Sequence, residues 1–225
     1  MIYFNQVTKK YSDTLSLDDV TLSIAAGEFV SIVGHSGAGK TTLTKLILAE
    51  ESPPDGTVFY ESTNIHKLSN RDLTNLRRKI GVVFQDYRLL PGKTAYENIA
   101  FAMEALGKND REIAEDVPHV LELVDLMHRA HHFPHQLSGG EKQRLSIARA
   151  IITQPDLIIA DEPTGNLDPM NTAEVINILK KINDLGTTVI LTTHNKSVID
   201  QVKKRVITLE NGKVIRDDAS SRSML

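Results

Sequence analysis

The amino-acid sequence predicts a mixed α/β domain with a parallel sheet and an inserted helical arm. Three observations lead there. Short apolar runs at 29–33, 80–84, 157–160 and 187–192 read as strands covered on both faces. Segments of helical spacing separate them, and strands that alternate with helices pair in parallel. One longer interval, 94–123, keeps helical character with no strand inside it.

Taken in order, Val20, Leu22 and Ile24 alternate like a half-buried strand. Residues 29–33 run directly into Gly34, so a buried strand feeds a glycine loop. Leu43, Leu46 and Ile47 then recur at helical spacing, and Pro53, Pro54, Asp55 and Gly56 end that segment. Thr94 and Glu97 have capping-box spacing at the start of the helical interval. A helix is expected after Ser138, and another after Asp168, where Asp168 suits the N-cap, Pro169 the first turn and Gly186 the end. Asn211 and Gly212, between 206–209 and 213–215, predict a closing hairpin.

Composition limits the function classes. The chain has 225 residues, 40% hydrophobic and 24% charged, which is ordinary globular usage. A net charge of -3 gives none of the one-sided basic field that a nucleic-acid backbone attracts. With no cysteine, disulfides and thiolate metal sites are excluded. The first residues lack the charged and apolar regions of a secretion signal, so no export is expected. No apolar run approaches the roughly 20 residues of a membrane span, and any membrane association is expected through a partner.

Gly34-His35-Ser36-Gly37-Ala38-Gly39-Lys40-Thr41 fits the phosphate-loop pattern, with Thr42 following. Glycines let backbone N–H groups converge on phosphate oxygens, and the following helix adds the positive end of its dipole. Lys40 supplies a point charge for the β and γ phosphates, and Thr41 a hydroxyl for Mg²⁺. At the end of the strand 157–160, Asp161 and Glu162 stand where a parallel sheet presents its ligand crevice. Asp161 is the expected partner of Mg²⁺, directly or through water, leaving Glu162 to orient or deprotonate an attacking water. Alone, such a pair would merely carry a strand out to solvent; beside the phosphate loop it predicts ATP hydrolysis.

Ser138 and Glu141 form a second capping-box spacing, with Gly139 and Gly140 between them allowing close approach of another molecule. The run LSGGEKQRLSIARA that begins at Leu137 resembles the signature sequence of ABC ATPases. Further residues, in order and spacing, resemble family positions over nearly the whole chain. Tyr11 is similar to the aromatic that stacks on adenine, Gln85 to the Q-loop glutamine, Asp168 to the D-loop aspartate and His194 to the H-loop histidine. The resemblance implies one nucleotide-binding domain over 1–225, with a core of about 1–85 and 155–225, an N-terminal antiparallel β subdomain and a helical subdomain of about 86–154. It puts Glu162, His194 and Gln85 among the catalytic residues and Gln85 with Thr41 and Asp161 around the metal. It also implies a head-to-tail dimer in which 138–141 of one protomer cover ATP held by the phosphate loop of the other, and it counts Asp168 among the nucleotide-binding residues.

Within the family, residues 83–91 and 193–196, with the short C-terminus, resemble the cell-division ATPases. Lipoprotein-release and macrolide-export ATPases are near neighbours, and a soluble ABC ATPase scaffold is a further alternative. The cell-division resemblance implies an integral membrane partner docked on 86–91 and the helical arm, with the chain peripheral on the inner face of the membrane. His128, His131, His132 and His135 have spacings suited to one helix face, but Pro134 would interrupt it and no metal site is expected. The runs Arg77-Arg78-Lys79 and Lys203-Lys204-Arg205 read as solvated faces.

Overall fold

The computed structural model describes residues 1–12 and 14–218; the C-terminus that contributed to the sequence comparison falls at 219–225, outside the described residues. Two sheets organise the chain. The first is antiparallel, in the order β2 (Thr14–Ile24), β1 (Ile2–Tyr11), β4 (Asp55–Tyr60), β5 (Thr63–Asn64). The second has six strands in the order β10 (Lys213–Asp218), β9 (Arg205–Glu210), β3 (Phe29–Val33), β8 (Thr188–Thr193), β7 (Leu157–Asp161), β6 (Ile80–Phe84). Its pairings are parallel except for the β9–β10 hairpin. That hairpin turns at Asn211 and Gly212, both at positive φ, as the sequence anticipates.

The apolar strands of the second sheet are apolar because both faces are covered. Val30, Ile32, Ile159 and Ile190 pack toward the antiparallel sheet and the helix α1 (Lys40–Ile47), with Phe4, Leu17 and Leu43. Phe29, Ile158, Val189 and Leu191 point the other way, into helices. Those helices are α3 (Ala95–Glu104), α4 (Asp110–Leu123), α5 (Gly139–Ile151), α6 (Pro169–Asp184) and α7 (Lys196–Val202). α3 to α5 occupy the interval between β6 and β7. They share one continuous apolar cluster with the sheet, including Ile99, Leu121 and Leu145, so this arm is anchored on the sheet.

Start signals hold at atomic detail. Thr94 Oγ1 accepts from the Glu97 N–H, and Glu97 Oε2 accepts from the Thr94 N–H, closing the capping box. Ser138 and Glu141 do the same for α5, and Asp168 caps α6 by accepting from Met170 and Asn171 N–H groups.

Three readings change. β4 and α2 (Asn70–Arg78) lie in stretches with no anticipated element. Segment α1 ends at Ile47, well before the prolines, where Ala49 turns to a left-handed φ of 48, and Asp55 and Gly56 belong to β4. The basic runs are not simply solvated. Arg77 donates to the carbonyls of Leu48 and Ala49, closing the open end of α1, and Arg205 bridges Glu28 and Asp217. The histidines share no helix, in keeping with the interruption expected at Pro134: His128 and His135 sit on separate 3₁₀ turns, Met127–Arg129 and Pro134–Gln136.

Candidate active site at the strand ends

β3, β7 and β8 end side by side, and each delivers part of one cavity. Its volume is about 610 Å³, and its lining is Ser16, His35, Ser36, Gly37, Gly39, Lys40, Thr41, Thr42, Gln85, Glu162 and His194. The loop after β3 curls into α1 through Gly39, at φ 108; a Cβ there would come within 2.5 Å of the Ser16 carbonyl oxygen. Any side chain would be both strained and blocked. No side chain caps the start of α1, so the N–H groups of its first turn face the cavity with the positive end of the helix dipole.

Lys40 is buried, and its ammonium donates to the Gly34 and His35 carbonyls at 2.7 and 3.2 Å. It also pairs with Glu162 Oε1 at 3.3 Å. Glu162 receives a second partner from β8: His194 Nδ1 lies 3.0 Å from both carboxylate oxygens. A carboxylate thus sits between a fixed cation and an imidazole in the cavity lining. Asp161, one residue earlier on β7, turns toward Thr41, whose hydroxyl donates to Oδ2 at 3.5 Å. A hydroxyl and a carboxylate are hard oxygen donors of the kind that suits Mg²⁺. Gln85, just past β6, reaches the turn that follows Glu162; a Cβ on Gly165 would meet its Nε2 at 2.8 Å.

Other candidate residues lie outside this lining. Tyr11 is at the edge: its ring is 38% exposed, Lys9 Nζ stands 5.2 Å from the ring centre, and its hydroxyl interacts with Glu51 and Thr42. Burial and the Glu51 carboxylate push the Tyr11 phenol up, while the same hydroxyl holds Glu51 below the usual carboxylate range. Ala38 is buried beneath the loop. Ser138, Gly139, Gly140 and Glu141 form the start of α5 and contribute nothing to the lining of their own chain's cavity. Glu141 is engaged by Arg129 at 2.9 Å. Asp168 is held low by the N–H groups it caps, chiefly that of Asn171. Gly140 is needed inside the protomer too, since a Cβ there would fall 1.8 Å from Asn171 Oδ1.

Two site residues escape the sequence reading. Ser16 bonds Thr42 across 2.7 Å and lines the cavity, yet nothing in the pattern of β2 marks it. Thr192 is fully buried and touches both acids. A hydroxyl in a strand buried at every position was the available signal, because a buried polar group needs a partner.

The comparison with known proteins bears directly on this arrangement. The family model described as ABC transporter matches residues 17–165. The chain belongs to the ABC transporter family and is one of its ATPases. It is 49% identical over 220 residues to the cell division ATP-binding protein FtsE of Streptococcus pneumoniae serotype 2 (strain D39 / NCTC 7466), covering 97% of this chain and 96% of that protein. The FtsE of Bacillus subtilis (strain 168) is 48% identical with the same coverage. Among solved structures, the dimeric ATP-binding cassette MJ0796 in a post-hydrolysis state, bound to ADP and Pi, superposes with a TM-score of 0.87 at 36% identity. That match covers 97% of this chain and 98% of the other. The α/β cassette fold expected of the family, with its antiparallel sheet and inserted helices, is the fold observed. ATP is the nucleotide of this family. Among the described residues no helix is long and apolar enough to cross a membrane.

Proposed function

We propose that the chain is the ATP-hydrolysing subunit of a cell-division complex, working as an ATP-closed dimer on an integral membrane partner of the FtsX type. The observation that carries the catalytic part is the placement of Glu162 between Lys40 and His194 in the lining of the phosphate-loop cavity. ATP enters with its phosphates over the loop 34–39. Lys40 turns from the Gly34 carbonyl and Glu162 to the β and γ phosphates, exchanging one anion for a more highly charged one. Glu162, released from that pair but still bonded to His194, orients the attacking water and takes its proton. Gln85 borders the same space. Thr41 and Asp161 would hold Mg²⁺, which when bound would neutralise phosphate charge and polarise the γ-phosphoryl group.

The second copy follows from what the cavity lacks. Residues 138–141 present a helix start and two glycines but line nothing of their own site, which supports their covering ATP held by the other protomer, with Asp168 adding to the nucleotide site and Tyr11 stacking on the adenine. Closure gives the nucleotide a second helix dipole, and loss of the γ-phosphate loosens the clamp. Identity to FtsE supports the division role, in which the stroke passes through the membrane to cell-wall hydrolases. The chain then sits on the inner face of the membrane, docked through 86–91 and the helical arm. Core and arm divide near residues 86 and 154.

Phosphate release and ATP-dependent dimerisation, measured on the wild type and on Glu162→Gln, test the clamp. Capture of membrane partners by Glu162→Gln with ATP tests the division role; a lipoprotein-release or exporter permease in that fraction overturns it.

A further inference from the structure

Thr192 is fully buried on β8, in a strand whose other interior positions are mostly apolar. Its hydroxyl is engaged twice. The Glu162 N–H donates to it at 3.0 Å, sharing its hydrogen with the Thr192 carbonyl at 3.2 Å, and the hydroxyl donates in turn to Asp161 Oδ1 at 2.5 Å. The direction of both bonds is fixed, because an amide N–H only donates and an ionised carboxylate only accepts. One hydroxyl therefore ties the backbone of one acid to the side chain of the other. Both acids need such a tie. Glu162 has φ 49, a left-handed conformation that side chains disfavour, and only this turn carries its carboxylate from the end of β7 toward Lys40 and His194. Asp161 has two oxygens, and with Oδ1 held by Thr192 it is Oδ2 that faces the Thr41 hydroxyl.

We propose that Thr192 is a positioning residue for the hydrolytic site: it selects the oxygen of Asp161 that faces the Thr41 hydroxyl and adds a side-chain bond to the backbone bond that holds the turn aiming Glu162. The inference rests on the reading of Asp161 and Glu162 as metal-holding and water-orienting acids. A merely space-filling Thr192 makes the opposite prediction. Valine has nearly its shape and suits a buried parallel strand, so Thr192→Val would then be silent.

The test compares wild type, Thr192→Val and Thr192→Ser as full chains. Turnover and KM for ATP are measured, with ATP binding in the absence of divalent cation and Mn²⁺ binding to the ADP complex by electron paramagnetic resonance. Losing a bond that orients a metal ligand costs about 10- to 100-fold, so Thr192→Val is expected to lose that much in kcat and in Mn²⁺ affinity. Metal-free ATP binding stays at the wild-type value, and Thr192→Ser, which keeps the hydroxyl, recovers both losses. Thermal unfolding checks that the valine variant folds; Thr192→Ala replaces it if it does not. Wild-type turnover and Mn²⁺ affinity in the valine variant would overturn the proposal. So would a serine variant as impaired as valine, or an equal loss in metal-free ATP binding. A wild type that neither binds nor hydrolyses ATP overturns the ATPase reading and the role of Thr192 with it, whereas an active wild type matched by Thr192→Val overturns only the latter.

Discussion

Glu162→Gln separates the three tasks that meet at one carboxylate. The substitution keeps the shape of the side chain and removes its charge, its basicity and its ion pair with Lys40 at 3.3 Å. The chemical step suffers most, since a positioned base contributes about 10²- to 10⁴-fold, or about 3 to 5 kcal/mol. Binding moves the other way. Glu162 is a fixed negative charge on the wall where phosphates enter, and in a half-open cavity its repulsion amounts to about 1 kcal/mol. ATP is therefore expected to bind about fivefold tighter. Folding changes little, because Lys40 keeps the Gly34 and His35 carbonyls and is not stranded. A loss of about 1 kcal/mol would lower Tm by about 2–4 °C in a domain of this size. Phosphate release at saturating ATP, nucleotide affinity by fluorescence titration and thermal unfolding give the three numbers. Turnover within fivefold of wild type would refute the base assignment, and weaker ATP binding would refute the electrostatic argument.

Lys40→Ala removes the cation that phosphates exchange for Glu162, and the loss of a charge-assisted bond predicts ATP binding weaker by about 10- to 100-fold in calorimetry. Tyr11→Ala removes an aromatic face at the cavity edge; stacking of about 0.5–1.5 kcal/mol predicts a KM for ATP about 2- to 10-fold higher with less effect on maximal rate. Equal losses in both would contradict it. Gly140→Ala places a Cβ on Asn171 Oδ1, and overpacking of about 1–3 kcal/mol exceeds the gain of about 1 kcal/mol from a better helix former. Its Tm is expected to fall, and Asn171→Ala in the same chain to relieve the fall; a thermal double-mutant cycle reads the coupling directly.

The sequence by itself determined the chemistry of each part. Residues 34–41 predict a phosphate cradle because glycines and a helix start are local requirements. The strand 157–160 carries Asp161 and Glu162 to the carboxyl end of the sheet, and its all-apolar run must be covered on both faces. Ser138, Thr94 and Asp168 declare helix starts because caps act within three residues. β4 was not legible, since its order comes from pairing with β1, whereas α2 carries a local start signal, Ser69 accepting from the Asp72 N–H, that the sequence reading missed. Only the tertiary structure decided how the parts meet. Parallel pairing of β7 with β8 puts Thr192 beside Asp161 and His194 within reach of Glu162, a juxtaposition of residues about thirty apart that no local pattern encodes. It also set the start of α5 apart from its own cavity while seating Gly140 on Asn171. The composition of a site is local chemistry, readable along the chain, whereas its geometry is a property of register and packing between distant strands.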